Sequence, residues 1–373
     1  MNNPRNAAKK KILIAINCMN IGGAPAVALN QLRGLDRTRF DPWLLVLYPS
    51  KPANFLSEAQ EAVGKERVIE FTLARRSLLD MITLLNIYRF LRREQFDTVV
   101  THLFLANLII RSLAILARIP RIIAYEHSRY EGKHLWQKVA DWLLAQWTDH
   151  IVVAHEEIAR FTAQQEHIPV RRFVIIPNPV SIPAQDDARL REVREAWNVP
   201  TNRMVFLSIG RFSDEKGHLN LIHAAAKAAT AEKDILVLII GHGPRYDELA
   251  RAVSAAGIEE SCHIIRDPER ARHAYYLADV FVLPSLREGE SIVTREALLA
   301  GLPVIASDLP TLHSLVEGAG WLVSPGDVDA LAQAMLEAAR QPELCTRFSR
   351  VARDKAQAFD NESALCEFER LLS

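Results

Sequence analysis

The sequence predicts an α/β protein in which short parallel strands alternate with helices, in numbers sufficient for two domains. Three observations carry this expectation. The chain has 373 residues, room for two full cores. Runs such as Ile12–Ile16, Met204–Ile209 and Ile235–Ile240 are almost continuously apolar, as strands buried on both faces are. The stretches between them repeat their apolar residues at helical spacing.

Taken in order, strand Lys11–Asn17 runs into Met19-Asn20-Ile21-Gly22-Gly23-Ala24-Pro25 and a helix over 26–35. Proline in a first helical turn, with paired glycines before it, makes a tight strand–helix loop. The G-x-G-x-x-G spacing of a dinucleotide site is absent. Strands follow at Trp43–Tyr48, Thr98–His102, Arg121–Tyr125, Ile151–Ala154 and Phe173–Ile176, with helices over 78–93, 105–118 and 156–166. The helix over 78–93 is expected to bury Met81, Leu84, Leu85 and Tyr88. His102 and His127 fall at strand carboxyl ends, where an open sheet forms its ligand crevice, although a lone histidine there is more often structural. Residues 133–147 place Leu135, Trp136, Val139, Trp142, Leu143 and Trp147 at helical spacing among Lys133, His134 and Lys138. Such a stripe is more often core. The alternative is an amphipathic surface at a membrane interface, with Arg75, Arg76, Arg92, Arg93 and Arg129 adding attraction to anionic lipid.

In the second half a helix near 189–197 precedes strand Met204–Ile209 and the loop Gly210-Arg211-Phe212-Ser213-Asp214-Glu215-Lys216-Gly217. The planar fork of Arg211 and the point charge of Lys216 suit a pyrophosphate and could neutralise it without a metal. Strand Ile235–Ile240 ends in Gly241-His242-Gly243-Pro244, and a helix ending near Leu277 is expected before the next strand. That strand, Val280–Leu283, meets the turn Pro284-Ser285 and the stretch Leu286–Glu296. Here Glu288 lies on the loop, Gly289 lets the backbone pass close to a ligand, and Ser291 caps a helix beginning at Ile292. Glu296 sits about one and a half turns further on, and Gly301, left-handed, closes the helix before Pro303. Two carboxylates flanking a helix N-terminus can read sugar and ribose hydroxyls while the free amides face phosphate. Strands Val304–Ala306 and Trp321–Val323 and helices over 328–340, 342–358 and 362–372 complete the chain.

Composition narrows the class. Hydrophobic residues make up 49% and charged residues 24%, ordinary for a globular protein. Net charge is zero, yet residues 1–180 hold 24 basic against 16 acidic side chains. The basic half suits an anionic partner, a phospholipid surface or a pyrophosphate-linked lipid; nucleic acid fits least, since no nucleic-acid motif accompanies the charge. Cys18, Cys262, Cys345 and Cys366 form no CxxC pair, which argues against a zinc site and suits a reducing compartment. Ile12–Ile16 is too short for a signal core or membrane span, so a cytoplasmic protein is expected. Walker A spacing is missing, and no Asp-x-Asp is positioned to hold a metal.

Glu288, seven intervening residues and Glu296, followed by Ala-Gly-Leu-Pro-Val-Ile-Ala-Ser-Asp over 300–308, resembles the signature of the retaining nucleotide-sugar glycosyltransferases of family 4. The Arg211–Lys216–Gly217 element, the Gly241-x-Gly243-Pro244 loop and the Pro177-Asn178-Pro179-Val180 turn resemble the same family, so the likeness spans nearly the whole chain. It implies the GT-B fold, two Rossmann-like domains with parallel sheets facing across an interdomain cleft. Residues 1–178 would form the acceptor domain and 179–359 the donor domain, with the final helix, 360–373, packing back on the first. It also implies a UDP-, GDP- or ADP-sugar donor, no cofactor and no metal. The acceptor would be a glycan or polyprenyl-pyrophosphate-linked, in bacterial surface polysaccharide assembly, and the protein would be cytoplasmic or peripheral on the inner membrane face. By resemblance Glu288 and His127 are catalytic, and Arg211, Lys216, Gly22 and Gly23 hold the donor diphosphate. Gly241, Gly243, Pro244, Gly289, Glu290, Ser291, Ile292 and Glu296 hold nucleotide and sugar, and His102 lies on the acceptor side. Three positions depart from the pattern: Pro179 replaces a glycine, stiffening the linker, Glu290 stands where an apolar residue is frequent, and Ser314 where glutamate is. A nucleotide-sugar epimerase of the same fold, or a non-catalytic nucleotide-sugar binding protein, is the alternative.

Overall fold

A computed structural model describes residues 9–50, 54–73, 80–127, 130, 132–267, 270–289, 291–359 and 361–373. The chain divides into two compact units, residues 1–179 with 360–373, and residues 180–359. Arg75, Arg76, Arg129 and Glu290 lie outside the described residues.

The first unit is built on seven parallel strands: β1 (Lys10–Ile16), β2 (Phe40–Val46), β3 (Val68–Glu70), β4 (Thr98–His102), β5 (Arg121–Glu126), β6 (His150–Val153) and β7 (Phe173–Ile175). Their order is β3-β2-β1-β4-β5-β6-β7. The winding reverses between β1 and β4, where Ile16 pairs with His102. In open α/β sheets ligands bind outside the carboxyl ends at such a reversal. Around the sheet run α1 (Gly23–Gly34), α2 (Leu56–Val63), α3 (Met81–Glu94), α4 (Phe104–Ala117), α5 (Leu135–Ala145) and α6 (Glu156–Glu166). Neither α2 nor β3 was expected; Val-Ile-Glu is too short to show a period, and β3 is an edge strand.

Two helical faces differ from expectation. Met81 and Leu85 are exposed, while α3 buries Ile87, Phe90 and Leu91. The helix is rolled so that Phe90 meets Phe96 (ring centroids 5.6 Å) and Trp43 (6.2 Å), a larger apolar contact than Met81 could make. On α5 the apolar stripe is not core: Leu135, Trp136, Val139, Trp142, Leu143 and, just beyond, Trp147 are all exposed.

Unit two repeats the winding with six parallel strands. Its second member of the sequence, β9 (Ile235–Ile240), lies between β8 (Met204–Ile209) and β10 (Cys262–Ile265). On the other side β8 meets β11 (Val280–Leu283), then β12 (Val304–Ser307) and β13 (Gly320–Val323), giving β10-β9-β8-β11-β12-β13. Alternate side chains feed two cores, Leu207, Leu238 and Phe281 on one face and Phe206, Val237 and Val282 on the other. The flanking helices are α7 (Asp187–Ala196), α8 (His218–Ala231), α9 (Tyr246–Ala256), α10 (Ile292–Leu299), α11 (Pro310–Val316), α12 (Val328–Arg340) and α13 (Pro342–Gln357). Before β11 the chain makes a short 3-10 turn, Ala271–Tyr276, instead of the expected helix. The reversal point lies between β8 and β11.

The last helix, α14 (Asn361–Leu372), belongs to the first unit. Phe368 meets Tyr125 edge-on at 6.0 Å, Arg39 pairs with Glu369 at 2.8 Å, and Arg121 donates to the Leu371 carbonyl at 2.8 Å. The helix also packs closely on Gly34, where a Cβ would stand 2.6 Å from Leu365 Cδ2.

Candidate active site

In the second unit two loops flank the reversal point. One leaves β8 and carries Arg211 and Lys216; the other leaves β11 and carries Glu288 and Ser291. They are tied by backbone, since Glu215 O accepts from Leu286 N at 2.7 Å. Gly217 makes this approach feasible: it is left-handed (φ +65°), and a Cβ would stand 2.0 Å from Pro284 O. Through that close packing Lys216 Nζ reaches Glu288 Oε2 at 2.6 Å. The buried Ser285 hydroxyl donates to the same oxygen at 3.2 Å, and Thr311 Oγ1 donates to the Glu288 carbonyl at 3.2 Å. So Lys216 and Glu288, 72 positions apart, come together, with a serine and a threonine that sequence reasoning did not single out. Arg211 lies on the same loop with an exposed side chain and no side-chain partner among the described residues.

Ser291 caps α10 as expected, its Oγ accepting from Thr294 N at 3.3 Å, and Ile292 is the first helical residue. Gly301 (φ +76°) follows the helix, closed on one side by Arg353. Glu296 is buried inside α10. Tyr275 donates to its Oε2 at 2.9 Å, and Arg272 Nε stands 3.4 Å from Oε1. Burial raises the Glu296 carboxyl above its ordinary range, opposed by Arg272, and burial raises the Tyr275 phenol too. Neither partner was legible in the sequence, since both lie on the short turn before β11. Gly241 and Gly243 have a reason of their own: a Cβ would stand 1.9 Å from Gly210 O and 2.4 Å from Phe212 O respectively. The β9 loop thus seats against the β8 loop, with Pro244 exposed at its tip and Gly289 half-buried beyond β11. Beneath them His218 is buried at the start of α8, edge-on to Phe212 at 5.7 Å, with burial pushing its imidazole down to about 3. No group of three or more His, Cys, Asp or Glu among the described residues has the arrangement of a metal site. In Asp327-x-Asp329 the first carboxylate caps α12 and the second pairs with Lys227.

The first unit presents different chemistry at its own reversal point. Gly22 and Gly23 are exposed at the head of α1; Gly22 is extended (φ 168°), and a Cβ there would meet nothing closer than 3.8 Å. His102 and His127, at the ends of adjacent strands, are 2.9 Å apart, Nδ1 to Nε2. His102 stacks on Tyr125 at 4.6 Å and is fully buried; His127 is half-buried. Burial drives the His102 imidazole well below its usual range and His127 down to about 4, so the pair is neutral at physiological pH. Each histidine was legible singly, but their contact depends on β4–β5 register.

Behind this edge lies a buried ion cluster that sequence reasoning missed. Lys133 Nζ is 2.5 Å from Glu166 Oε1, 2.9 Å from Asp141 Oδ2 and 3.8 Å from Glu126 Oε2, and Arg111 approaches Asp141 at 3.6 Å. Burial raises Glu166 to about 7 and raises Glu126 as well, while the three carboxylates hold Lys133 firmly charged.

Two parallel sheets, each reversing its winding at its centre and flanked by helices, are the two Rossmann-like halves of the GT-B fold, and comparison with known proteins agrees. Anabaena Alr3699/HepE, solved in complex with UDP-glucose, shares the fold at TM-score 0.81 and 17% identity, over 97% of this chain and 99% of that one. Residues 21–182 match Glycosyltransferase Family 4 and residues 191–355 match Glycosyl transferases group 1; the chain belongs to this glycosyltransferase family. The UDP-Gal:alpha-D-GlcNAc-diphosphoundecaprenol alpha-1,3-galactosyltransferase of Escherichia coli is 25% identical over 333 residues, 85% of this chain and 84% of the relative. A phosphatidyl-myo-inositol mannosyltransferase of Mycobacterium leprae is 29% identical over 237 residues, 61% and 60% respectively.

Proposed function

We propose that this glycosyltransferase moves a sugar, with retention at the anomeric carbon, from a nucleoside-diphosphate sugar to a glycan or polyprenyl-pyrophosphate-linked acceptor in bacterial surface polysaccharide assembly. The observation that carries the reading is the Lys216–Glu288 pair at the reversal point of the second unit. A cation and a carboxylate are held 2.6 Å apart, and a donor has a group that suits each. Its diphosphate takes Lys216 and the free guanidinium of Arg211, and its sugar hydroxyls take Glu288. The same two cations supply the charge neutralisation that other transferases take from a metal. Glu296, held by Tyr275, receives the ribose; Gly241, Gly243, Pro244, Gly289, Ser291 and Ile292 line the nucleotide and sugar. The first unit takes the acceptor, with His102 and His127 as neutral hydrogen-bonding groups, while Gly22 and Gly23 leave backbone amides open to phosphate. The diphosphate departs from the face the acceptor enters and helps to deprotonate it, with no protein nucleophile. The E. coli relative's named donor and acceptor, and the UDP-glucose held by HepE, support a UDP-sugar and a diphospholipid acceptor. Four free thiols support a reducing, cytoplasmic setting.

The test is a panel of UDP-, GDP- and ADP-sugars read by thermal shift, followed by transfer assays with those that bind. One nucleotide class should raise Tm and support transfer with retained configuration. Sugar inversion without transfer would make the protein an epimerase, and binding without turnover a sensor. No shift with any sugar nucleotide removes the donor assignment.

A further inference from the structure

The α5 helix is inside out. Its outward side carries Leu135, Trp136, Val139, Trp142 and Leu143, 45–77% exposed, and Trp147 just beyond is 55% exposed. Its inward side buries Leu144 and Ala145 together with a charge, Asp141 reaching Lys133 at 2.9 Å and Arg111 of α4 at 3.6 Å. Lys133 in turn reaches Glu166 of α6 at 2.5 Å. The ion cluster takes much of the inward seat, leaving it only Leu144 and Ala145 as apolar packing, and the longer apolar stripe faces solvent. Large contiguous apolar surface of this kind marks an interaction site.

The surface continues past α5. Trp136 meets Phe104, the first residue of α4, edge-on at 5.8 Å. The α3 helix packs beside α4 and exposes Met81, Ile82 and Leu85 in its first turns. Helices that connect parallel strands run back against them, so the starts of all three lie at the carboxyl edge of the sheet, where His102 and His127 stand. Charge selects the occupant. Within α3, α4 and α5 the only carboxylates are Asp141, which is buried, and Glu94, which pairs with Lys11 and Arg93. Arg89, Arg92 and Arg93 are exposed and Lys138 half-exposed on the same helices. No helix among the described residues is long and apolar enough to cross a membrane.

We infer that the faces of α3 and α5 form a docking surface for an anionic lipid bilayer, on which the first unit lies with its histidine edge beside the headgroups. Three tryptophans with leucine and valine partition into the headgroup boundary, and the cations meet lipid phosphate. A second copy of this chain is the poorer occupant, because a twofold contact would set these cations against each other. The inference does not need the donor assignment, since vesicle binding is read without donor, and either can fail alone.

The experiment is co-sedimentation of the full chain with phosphatidylcholine vesicles, with and without phosphatidylglycerol, alongside tryptophan emission and sizing by light scattering. Binding should require the anionic lipid, shift emission to the blue, and weaken by at least about tenfold as salt rises from low to high concentration. Trp136→Ser/Trp142→Ser should lose at least about tenfold in vesicle affinity with Tm within about 2 °C, as those side chains are exposed; Leu135→Gln is the milder second variant. Equal, negligible binding to both vesicles overturns the inference. So does a wild-type dimer that these substitutions convert to monomer without changing vesicle binding.

Discussion

The two sheets share one winding order, yet their reversal points end in opposite chemistry. In the second unit the loops from β8 and β11 end in charge, Arg211, Lys216 and Glu288, within reach of solvent. In the first, β4 and β5 end in stacked neutral rings, His102, Tyr125 and His127, and the charges are buried behind them around Lys133. The difference teaches that winding decides where a ligand can lie, and the few residues after each strand decide which ligand. A charged mouth suits a diphosphate; a neutral, hydrogen-bonding one beside an apolar surface suits a hydroxyl acceptor.

The glycines offer the sharpest way to break this comparison. Gly217→Ala should cost at least about 3 kcal/mol of stability, because its φ is positive and Pro284 O blocks the added methyl. Gly22→Ala should cost under about 1 kcal/mol, since its methyl would meet the protein only at ordinary contact distance, but should slow transfer if the proposed diphosphate lies against it. Thermal melts of both variants check the pair; equal losses would mean that Gly22 too is held by the protein.

Next in size come the charged loops. Lys216→Ala and Arg211→Ala should each lower kcat/KM by roughly 2–4 kcal/mol, about 30- to 1000-fold. Transfer within threefold of wild type for both variants would remove the diphosphate assignment. Glu288→Gln should lower kcat by roughly tenfold to a thousandfold with donor KM little changed, because sugar contacts strengthen as positive charge develops at the anomeric carbon. Glu296→Gln should act mainly on donor KM, by about tenfold, since the ribose changes little during reaction. The reverse split, measured at saturating acceptor, would show that the donor lies the other way round.

The smallest effect concerns the neutral edge. Burial pushes the His127 imidazole down to about 4 in the folded protein, from about 6.5 in the unfolded chain. Between those values the unfolded chain binds the proton and the native chain does not, so this contribution to stability is full above pH 6.5 and is lost as pH falls towards 4. Glu126 and Glu166 act in the opposite sense but are common to wild type and variant. His127→Gln should therefore gain about 1–2 kcal/mol relative to wild type between pH 6.5 and 4.5, discounted for partial exposure. Parallel Tm-against-pH curves for the two proteins would show that His127 is not held neutral.

What the sequence by itself determined is what local pattern determines: the alternation of buried strands with helices, the Ser291 cap, the Gly301 stop, and the loops that follow β8, β9 and β11. Each depends on residues within a few positions of one another, so a period or a turn signature suffices. The family's signature, from Glu288 to Asp308, was legible for the same reason. Tertiary structure alone decided the rest. Lys216 and Glu288 meet because β8 and β11 are neighbours across a reversal of winding, and His102 and His127 because β4 and β5 pair in one register. Tyr275 and Arg272 reach Glu296 from a turn with no signature of its own. The outward face of α5 is the plainest case. Tryptophan and leucine at helical spacing promise a core, but three carboxylates from β5, α5 and α6 converge on Lys133 and take the inner side. Helical period identifies which residues share a face; only the neighbours packed against the helix decide whether that face looks in or out.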